Sequence, residues 1–152
     1  MKCLQWLIAW VTIPVVLMIQ TASADSLIQV SQAMVNEAPP TVTVQAAYLD
    51  IANNSDQAIT LTNVNSPLFT RIEFHATRLK DGVASMVRQD VINIPANSIF
   101  SFSPGDYHLM LFNPIRPLKQ GDQVPLQLVF SDGTSISVEA MVVKPGNEHH
   151  HH

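Results

Sequence analysis

The feature that most constrains this chain is the succession of short apolar runs separated by turn formers from about residue 27 to residue 143. The runs are rich in β-branched and aromatic side chains, and no stretch of useful length carries a helical period. The turn formers supply backbone freedom or local side-chain hydrogen bonds. They are Asn53-Asn54-Ser55-Asp56, Asp81-Gly82, Pro95-Ala96-Asn97, Pro104-Gly105-Asp106, Gly121-Asp122 and Asp132-Gly133. The spacing predicts an all-β domain, a β-sandwich or a small Greek-key barrel.

Nine runs have the length and composition of strands. We predict strands at Leu27–Val35, Thr41–Ala52, Ala58–Asn63, Arg71–Leu79, Val91–Ile94, Ser98–Phe102, Tyr107–Phe112, Leu126–Phe130 and Ser135–Val143.

The N-terminus has the pattern of an export signal. Lys2 precedes an apolar run over residues 4–19, and Ala22-Ser23-Ala24 provides the small residues that signal peptidase recognises. The run is short for a transmembrane helix and contains Pro14. We therefore predict a signal peptide at residues 1–24, cleavage before Asp25, a periplasmic location and no membrane insertion after cleavage.

The predicted mature chain consists of one β domain at residues 25–145 and a His-rich tail at 146–152. Its seven Lys and Arg stand against twelve Asp and Glu, a net charge of −5, which argues against nucleic acid or an anionic membrane surface as partner. Cys3, the one cysteine, lies within the signal peptide and too early to carry a lipid. The mature chain therefore has no thiol, and we expect a monomer.

Two histidines and two methionines form one pattern in the domain. His75 is followed after ten residues by Met86, and twenty-one residues later come His108 and Met110. Thioether sulfur favours Cu(I), and imidazole accepts it, so this donor set points to monovalent copper ahead of zinc or magnesium. By spacing alone the four residues could equally be core filler and hydrogen-bonded polar residues.

Strand periodicity gives this pattern a geometry. His108 and Met110 are two apart on a predicted strand and share a face, while Leu109 and Leu111 take the core face. We expect His108 and Met110 to lie on an accessible surface. His75 shares a side with Glu73 and Thr77. Met86 follows the Asp81-Gly82 turn, from which a loop or hairpin could place it over the strand of His75.

The composition also narrows the class of function. The mature chain has no Ser-His-Asp arrangement, no paired carboxylates and no cysteine nucleophile, so we do not expect an enzyme. A blue-copper electron-transfer protein would need a cysteine ligand.

The spacing H-x10-M-x21-H-x-M resembles the copper signature of the PCuAC family, the periplasmic copper chaperones associated with the CuA centre of cytochrome c oxidase. The surrounding segments are similar too, over about residues 42–143. They are Ala46 to Asn53, Asp81-Gly82-Val83, Tyr107-His108-Leu109-Met110-Leu111 and Pro117 to Leu126. Two departures stand out. Ala76 and Thr77 replace an acidic residue and a methionine that many relatives carry, and Asp106 replaces a glycine.

The resemblance implies a cupredoxin-like β fold with one exposed Cu(I) site, whose ligands are His75, Met86, His108 and Met110. It also implies delivery of copper by ligand exchange to the CuA-bearing subunit of the oxidase, alongside a Sco-type thiol protein. Storage or sequestration of copper by the same site is the alternative that the sequence leaves open.

The tail ends in His149, His150, His151 and His152. This run is either a purification tag or a native imidazole cluster. A native cluster without sulfur would prefer Cu(II) or another borderline divalent ion to Cu(I).

Overall fold

The computed structural model describes residues 27–145, and this part of the chain is all β. The predicted signal peptide at 1–24 and the His-rich tail at 146–152 lie outside the described residues. Within residues 27–145 there is no helix of the length and hydrophobicity that a membrane crossing requires. The ten strands are β1 (Ile28–Asn36), β2 (Val44–Asn53), β3 (Ile59–Asn65), β4 (Phe69–Lys80), β5 (Val83–Gln89), β6 (Ile92–Ile94), β7 (Ser98–Phe102), β8 (Tyr107–Pro114), β9 (Gln123–Phe130) and β10 (Ser135–Val143).

The strands form one sheet in the order β5-β4-β8-β2-β1-β10-β9-β3-β6, and β7 pairs with the remaining length of β2. Only the β1–β10 pairing is parallel among those described. Side chains from strands near both ends of this order meet in a single apolar core, so the sheet is folded over on itself. The predicted all-β, cupredoxin-like class is confirmed.

Alternation along the strands separates a core face from an outer face. On β2, Ala47, Leu49 and Ile51 are at most 1% exposed, whereas the residues between them are half-buried. The largest fully buried side chains come from strands throughout the sheet. They are Leu49, Ile51, Leu61, Ile94, Leu109, Leu111, Leu126, Leu128, Val35, Val124, Val142 and Asn53.

The nine predicted strands are all present, with ends that differ by a few residues. The tenth, β5, was not predicted. It forms a hairpin with β4 across Asp81 and Gly82, whose φ angles of 53° and 78° are those of the tight turn that suits the twist of paired strands. Six of its seven residues are exposed, so the run lacks the apolar alternation that marks a half-buried strand.

Candidate metal centre

The two histidines of the domain lie directly opposite each other on β4 and β8. His75 and His108 are register partners, and their ring centroids are 5.9 Å apart at an interplanar angle of 34°. Both rings lie on the outer face, because their neighbours Phe74, Ala76 and Leu109 point into the core. The pairing of the two strands therefore brings together side chains that are 33 residues apart in the sequence.

Each imidazole has one nitrogen paired and one buried without a partner. His75 Nε2 lies 2.9 Å from Glu73 Oε2, and His108 Nδ1 lies 3.2 Å from the carbonyl oxygen of Asp106. Both partners are acceptors, so in neutral rings the proton sits on the paired nitrogen. His75 Nδ1 and His108 Nε2 then carry free lone pairs and have no hydrogen-bond partner. Two imidazoles fixed in this way are prepared as ligands.

Glu73 is the residue that orients His75. Its other carboxylate oxygen lies 2.9 Å from Arg71 Nε and 3.6 Å from an Arg88 guanidinium nitrogen. The hydrogen bond with His75, and secondarily the charges of Arg88 and Arg71, lower the pKa of Glu73 against the opposing effect of burial. An ionised carboxylate on the outer nitrogen of a histidine raises the basicity of its free nitrogen. Sequence reasoning placed Glu73 only on the same face as His75.

The two predicted methionines lie around the same point of the outer face. Met110 on β8 is the register partner of Glu73 on β4, and Met86 on β5 is the partner of Thr77. Met86, Met110 and His108 line one cavity of about 220 Å³, together with Tyr48 and Thr77. His75 adjoins this cavity through its contact with the His108 ring. The fold thus assembles all four predicted residues in one region.

One detail differs from the sequence predictions, and a second decides between two alternatives that they left open. His108 was expected on an accessible surface, but it is only 6% exposed, because residues of β2, β4, β5 and the Gly105 turn surround the cavity that it lines. Met86 is carried by a strand of the β4–β5 hairpin, the second of the two alternatives considered, and is 65% exposed. Met110 is half-buried, so the site has a buried imidazole side and is open at Met86.

The donor set determines which metal these residues suit. Among residues 27–145, no three side chains of the His, Cys, Asp and Glu types converge in a way that could hold a metal ion. A metal here would depend on the thioethers of Met86 and Met110 in addition to the two imidazoles. Thioether sulfur is a soft donor that suits Cu(I) better than zinc, magnesium or calcium.

Residues 28–142 match the family described as "Putative lipoprotein LpqE-like". The chain belongs to this family, which is the PCuAC family. It is 33% identical over 112 residues to the uncharacterized protein RP573 of Rickettsia prowazekii (strain Madrid E), a match that covers 69% of this chain and 62% of RP573. The chain therefore spans less than two thirds of that relative.

Solved structures show the same relationship. The solution structure of CuI-DR1885 from Deinococcus radiodurans is 34% identical, with a TM-score of 0.61, and the match covers 74% of this chain and 76% of that one. The apo form of DR1885 is matched over 94% of this chain and 95% of its own, at 32% identity and a TM-score of 0.61. The copper-bound PCuAC domain of PmoF2, 22% identical with a TM-score of 0.68 over 79% of this chain and 95% of that domain, shares the fold.

Proposed function

We propose that this protein is a periplasmic carrier of Cu(I), which it delivers by ligand exchange to the CuA centre of cytochrome c oxidase. The observation that carries the proposal is the pair of buried, unpartnered nitrogens on His75 and His108 beside two thioethers. The copper-bound forms of DR1885 and PmoF2 support it. The export signal predicted at residues 1–24 and the lipoprotein description of the family support a location in the cell envelope.

The arrangement suits release of copper one ligand at a time. His75 and His108 are held by Glu73 and the Asp106 carbonyl, so their positions persist when one bond to copper breaks. Met86 lies on the edge strand and is 65% exposed, so an incoming donor reaches it first. We infer that Met86 leaves first and that the imidazoles leave last. Copper remains monovalent throughout, and no bond other than those to copper is made or broken.

The acceptor that we propose is the CuA-bearing subunit of the oxidase, with a Sco-type thiol protein acting alongside. A carrier without thiols suits this compartment, because a dithiol carrier is disabled by disulfide formation, whereas thioethers form no disulfides and are oxidised to sulfoxides instead. In this role the protein performs no catalysis.

The first experiment is an anaerobic titration of the mature chain, from which the tail 146–152 has been removed, with Cu(I) against a competing chelator. We expect one tight equivalent. Changing Met86 and Met110 together to Leu approximately preserves volume and should leave the fold intact while tight binding is lost. Equal retention of copper by this variant would reject the assignment.

Delivery and storage are separated by a second experiment. The copper-loaded protein is mixed anaerobically with an isolated CuA domain, samples are separated at timed intervals, and the copper in each protein is measured by metal analysis. A carrier transfers copper faster than it dissociates into a chelator, because exchange proceeds through a shared complex. Transfer no faster than dissociation would favour a storage or sequestration role for the same site.

The tail at residues 149–152 is proposed as a separate site for Cu(II), because an imidazole cluster without sulfur prefers a borderline divalent ion. Deleting residues 148–152 should abolish Cu(II) binding and leave the Cu(I) stoichiometry unchanged. Cu(II) held with equal strength after the deletion would move the divalent ion to His75 and His108.

A further inference from the structure

The methionines of the domain are distributed in an unusual way. Residues 27–145 contain four methionines, and none of them is among the buried core residues. Methionine is ordinarily a flexible filler of apolar cores. Met86 and Met110 lie at the metal centre, which leaves Met34 on β1 and Met141 on β10 without a role in the proposed function.

A β-bulge turns Met34 away from the core. Ser31 pairs with Asp50, but Met34 pairs with Tyr48, so β1 has one residue more than β2 between these positions. Without the extra residue, Met34 would be the register partner of Ala47, which is fully buried, and its side chain would point into the core. The bulge moves Met34 to the outer face and leaves Val35 opposite Ala47 in the core.

The bulge places one residue in an unfavourable backbone conformation. Gln32 has a φ of 53°, a left-handed conformation that non-glycine residues seldom adopt. Its side chain donates a hydrogen bond of 2.7 Å to Asp50 Oδ2, which anchors it on the outer face. Bulges commonly serve to redirect a side chain near a functional site.

Met141 occupies the neighbouring position on the next strand. The parallel β1–β10 pairing places Met34 and Met141 in register, and the following partners, Val35 and Val142, are both fully buried. Met34 and Met141 therefore lie side by side on the outer face, with backbones about 5 Å apart. Met141 is 53% exposed. Two thioethers are thus presented together at the surface.

This pair lies in the same row of the sheet as the metal centre. Ala47 pairs with Leu109, so in the antiparallel register the adjacent Tyr48 comes opposite His108, and both line the metal-centre cavity. Tyr48 is in turn the partner of Met34. The row across β4, β8, β2, β1 and β10 is His75, His108, Tyr48, Met34, Met141. At about 5 Å per strand, Met34 lies about 10 Å from His108 along the sheet.

We propose that Met34 and Met141 form a second, weaker site for a soft monovalent cation, Cu(I), from which copper passes over Tyr48 to the His75–His108 centre. Two thioethers without imidazole bind Cu(I) more weakly than the full donor set, which is what a loading position requires. Transfer exchanges thioether for thioether or imidazole ligands and leaves the copper monovalent. This inference rests on the proposed function, since both concern the same cargo.

The test follows the methionine methyl groups by NMR in the mature chain, residues 25–152, carrying methyl-labelled methionine and titrated anaerobically with Cu(I). We expect the first equivalent to shift the Met86 and Met110 signals, and further Cu(I) to shift those of Met34 and Met141. The variant Met34→Leu/Met141→Leu should keep the first event, lose the second and fill its main centre more slowly from a chelator. Leu replaces Met with little change of volume.

The matched control is Met86→Leu/Met110→Leu, which removes the thioethers of the main centre only. Shifts of Met34 and Met141 in this variant would show direct binding to the pair. Their loss would mean that the shifts are transmitted from the main centre and would overturn the proposal. Unshifted Met34 and Met141 signals in the unaltered chain, with unchanged filling in the Met34/Met141 variant, would also overturn it. Shifts confined to Met34 and Met141 would reject the proposed main centre while leaving this pair standing.

Discussion

Two buried polar centres in this molecule are built in opposite ways. Asn53, at the end of β2, is fully buried, and its amide is satisfied on both sides. Nδ2 donates to the carbonyls of Gln57, Ile94 and Pro95, and Oδ1 accepts from the N–H and hydroxyl of Ser55. At the other centre, His75 and His108 each leave one buried nitrogen unpartnered. A buried polar group without a partner costs free energy, and a ligand bound by these two nitrogens would remove that cost.

Of the two polar centres, the satisfied one is expected to have the larger effect on stability. Asn53→Ala removes the donor from three carbonyls and opens a cavity, so the free energy of unfolding should fall by about 3 kcal/mol. Denaturant unfolding measures this. Asn63→Ala, which removes an exposed amide that donates to Asn65 Oδ1, should change it by less than about 0.5 kcal/mol. Equal effects of the two changes would show that the Asn53 network is not a structural anchor.

At the histidine centre we expect the reverse, a small effect on stability and a large effect on Cu(I) affinity. His108→Leu removes an orphaned nitrogen, and the Asp106 carbonyl keeps its hydrogen bond from the Thr77 N–H. The free energy of unfolding of the metal-free protein should therefore change by less than about 1 kcal/mol. Cu(I) affinity should fall by more than the roughly 10- to 100-fold that follows loss of an outer partner of a ligand.

Leu109→Ala, one residue along, is the control for this prediction. Leu109 is fully buried in the core, so its truncation should cost about 2–5 kcal/mol of stability. The folded variant should still bind Cu(I) with unchanged stoichiometry. A His108→Leu protein as unstable as Leu109→Ala would identify His108 as a structural residue.

The comparison also shows which features of the fold and of the site could be predicted from the sequence. Alternation in runs such as Tyr107–Phe112 is strong, because one face enters the core, and it predicted the strands and the shared face of His108 and Met110. The edge strand β5 buries no side chain completely, so nothing in its sequence enforces a period. The opposition of His75 and His108 depends on a pairing 33 residues apart. Residues that share a strand are predictable from spacing, whereas residues on different strands meet through a register that the whole sheet sets.

The bulge at Gln32 illustrates the same limit. One extra residue reverses the face of every side chain that follows it, and no glycine marks its position. Read by simple alternation, Met34 belongs to the core. The burial of His108 could not be predicted either, because it arises from neighbours on three other strands.

A smaller effect on Cu(I) affinity is expected at Glu73, which shares a feature with each of the two centres. It is fully paired, but its role is to prepare His75. Glu73→Gln keeps the shape and removes the charge, so Cu(I) affinity should fall by about 10- to 100-fold with stoichiometry unchanged. Arg88→Gln, which removes a more distant and 63% exposed partner of Glu73, should change affinity less. An unaltered affinity in Glu73→Gln would leave Glu73 with a purely structural role.

The smallest effect is expected where a polar group is paired but not buried. Asp122 Oδ2 accepts hydrogen bonds from Arg116, at 2.8 Å, and from the Lys119 N–H, at 3.1 Å, and these, led by that from Arg116, lower its pKa from the ordinary value. A lowered folded-state pKa means that the ionised carboxylate stabilises the fold above the unfolded-state value of about 4, and that this contribution is lost as pH falls through the folded-state pKa. Asp122→Asn should therefore lower the denaturant midpoint slightly at neutral pH. In acid the midpoints of the variant and the unaltered protein should become equal. Asp56→Asn, in the exposed turn after β2, is the control. If the difference in midpoint between the two proteins grew in acid, the assignment would be wrong. Such a result would mean that folding raises the pKa of Asp122, because only a group whose pKa is raised by folding loses its stabilising effect as pH rises.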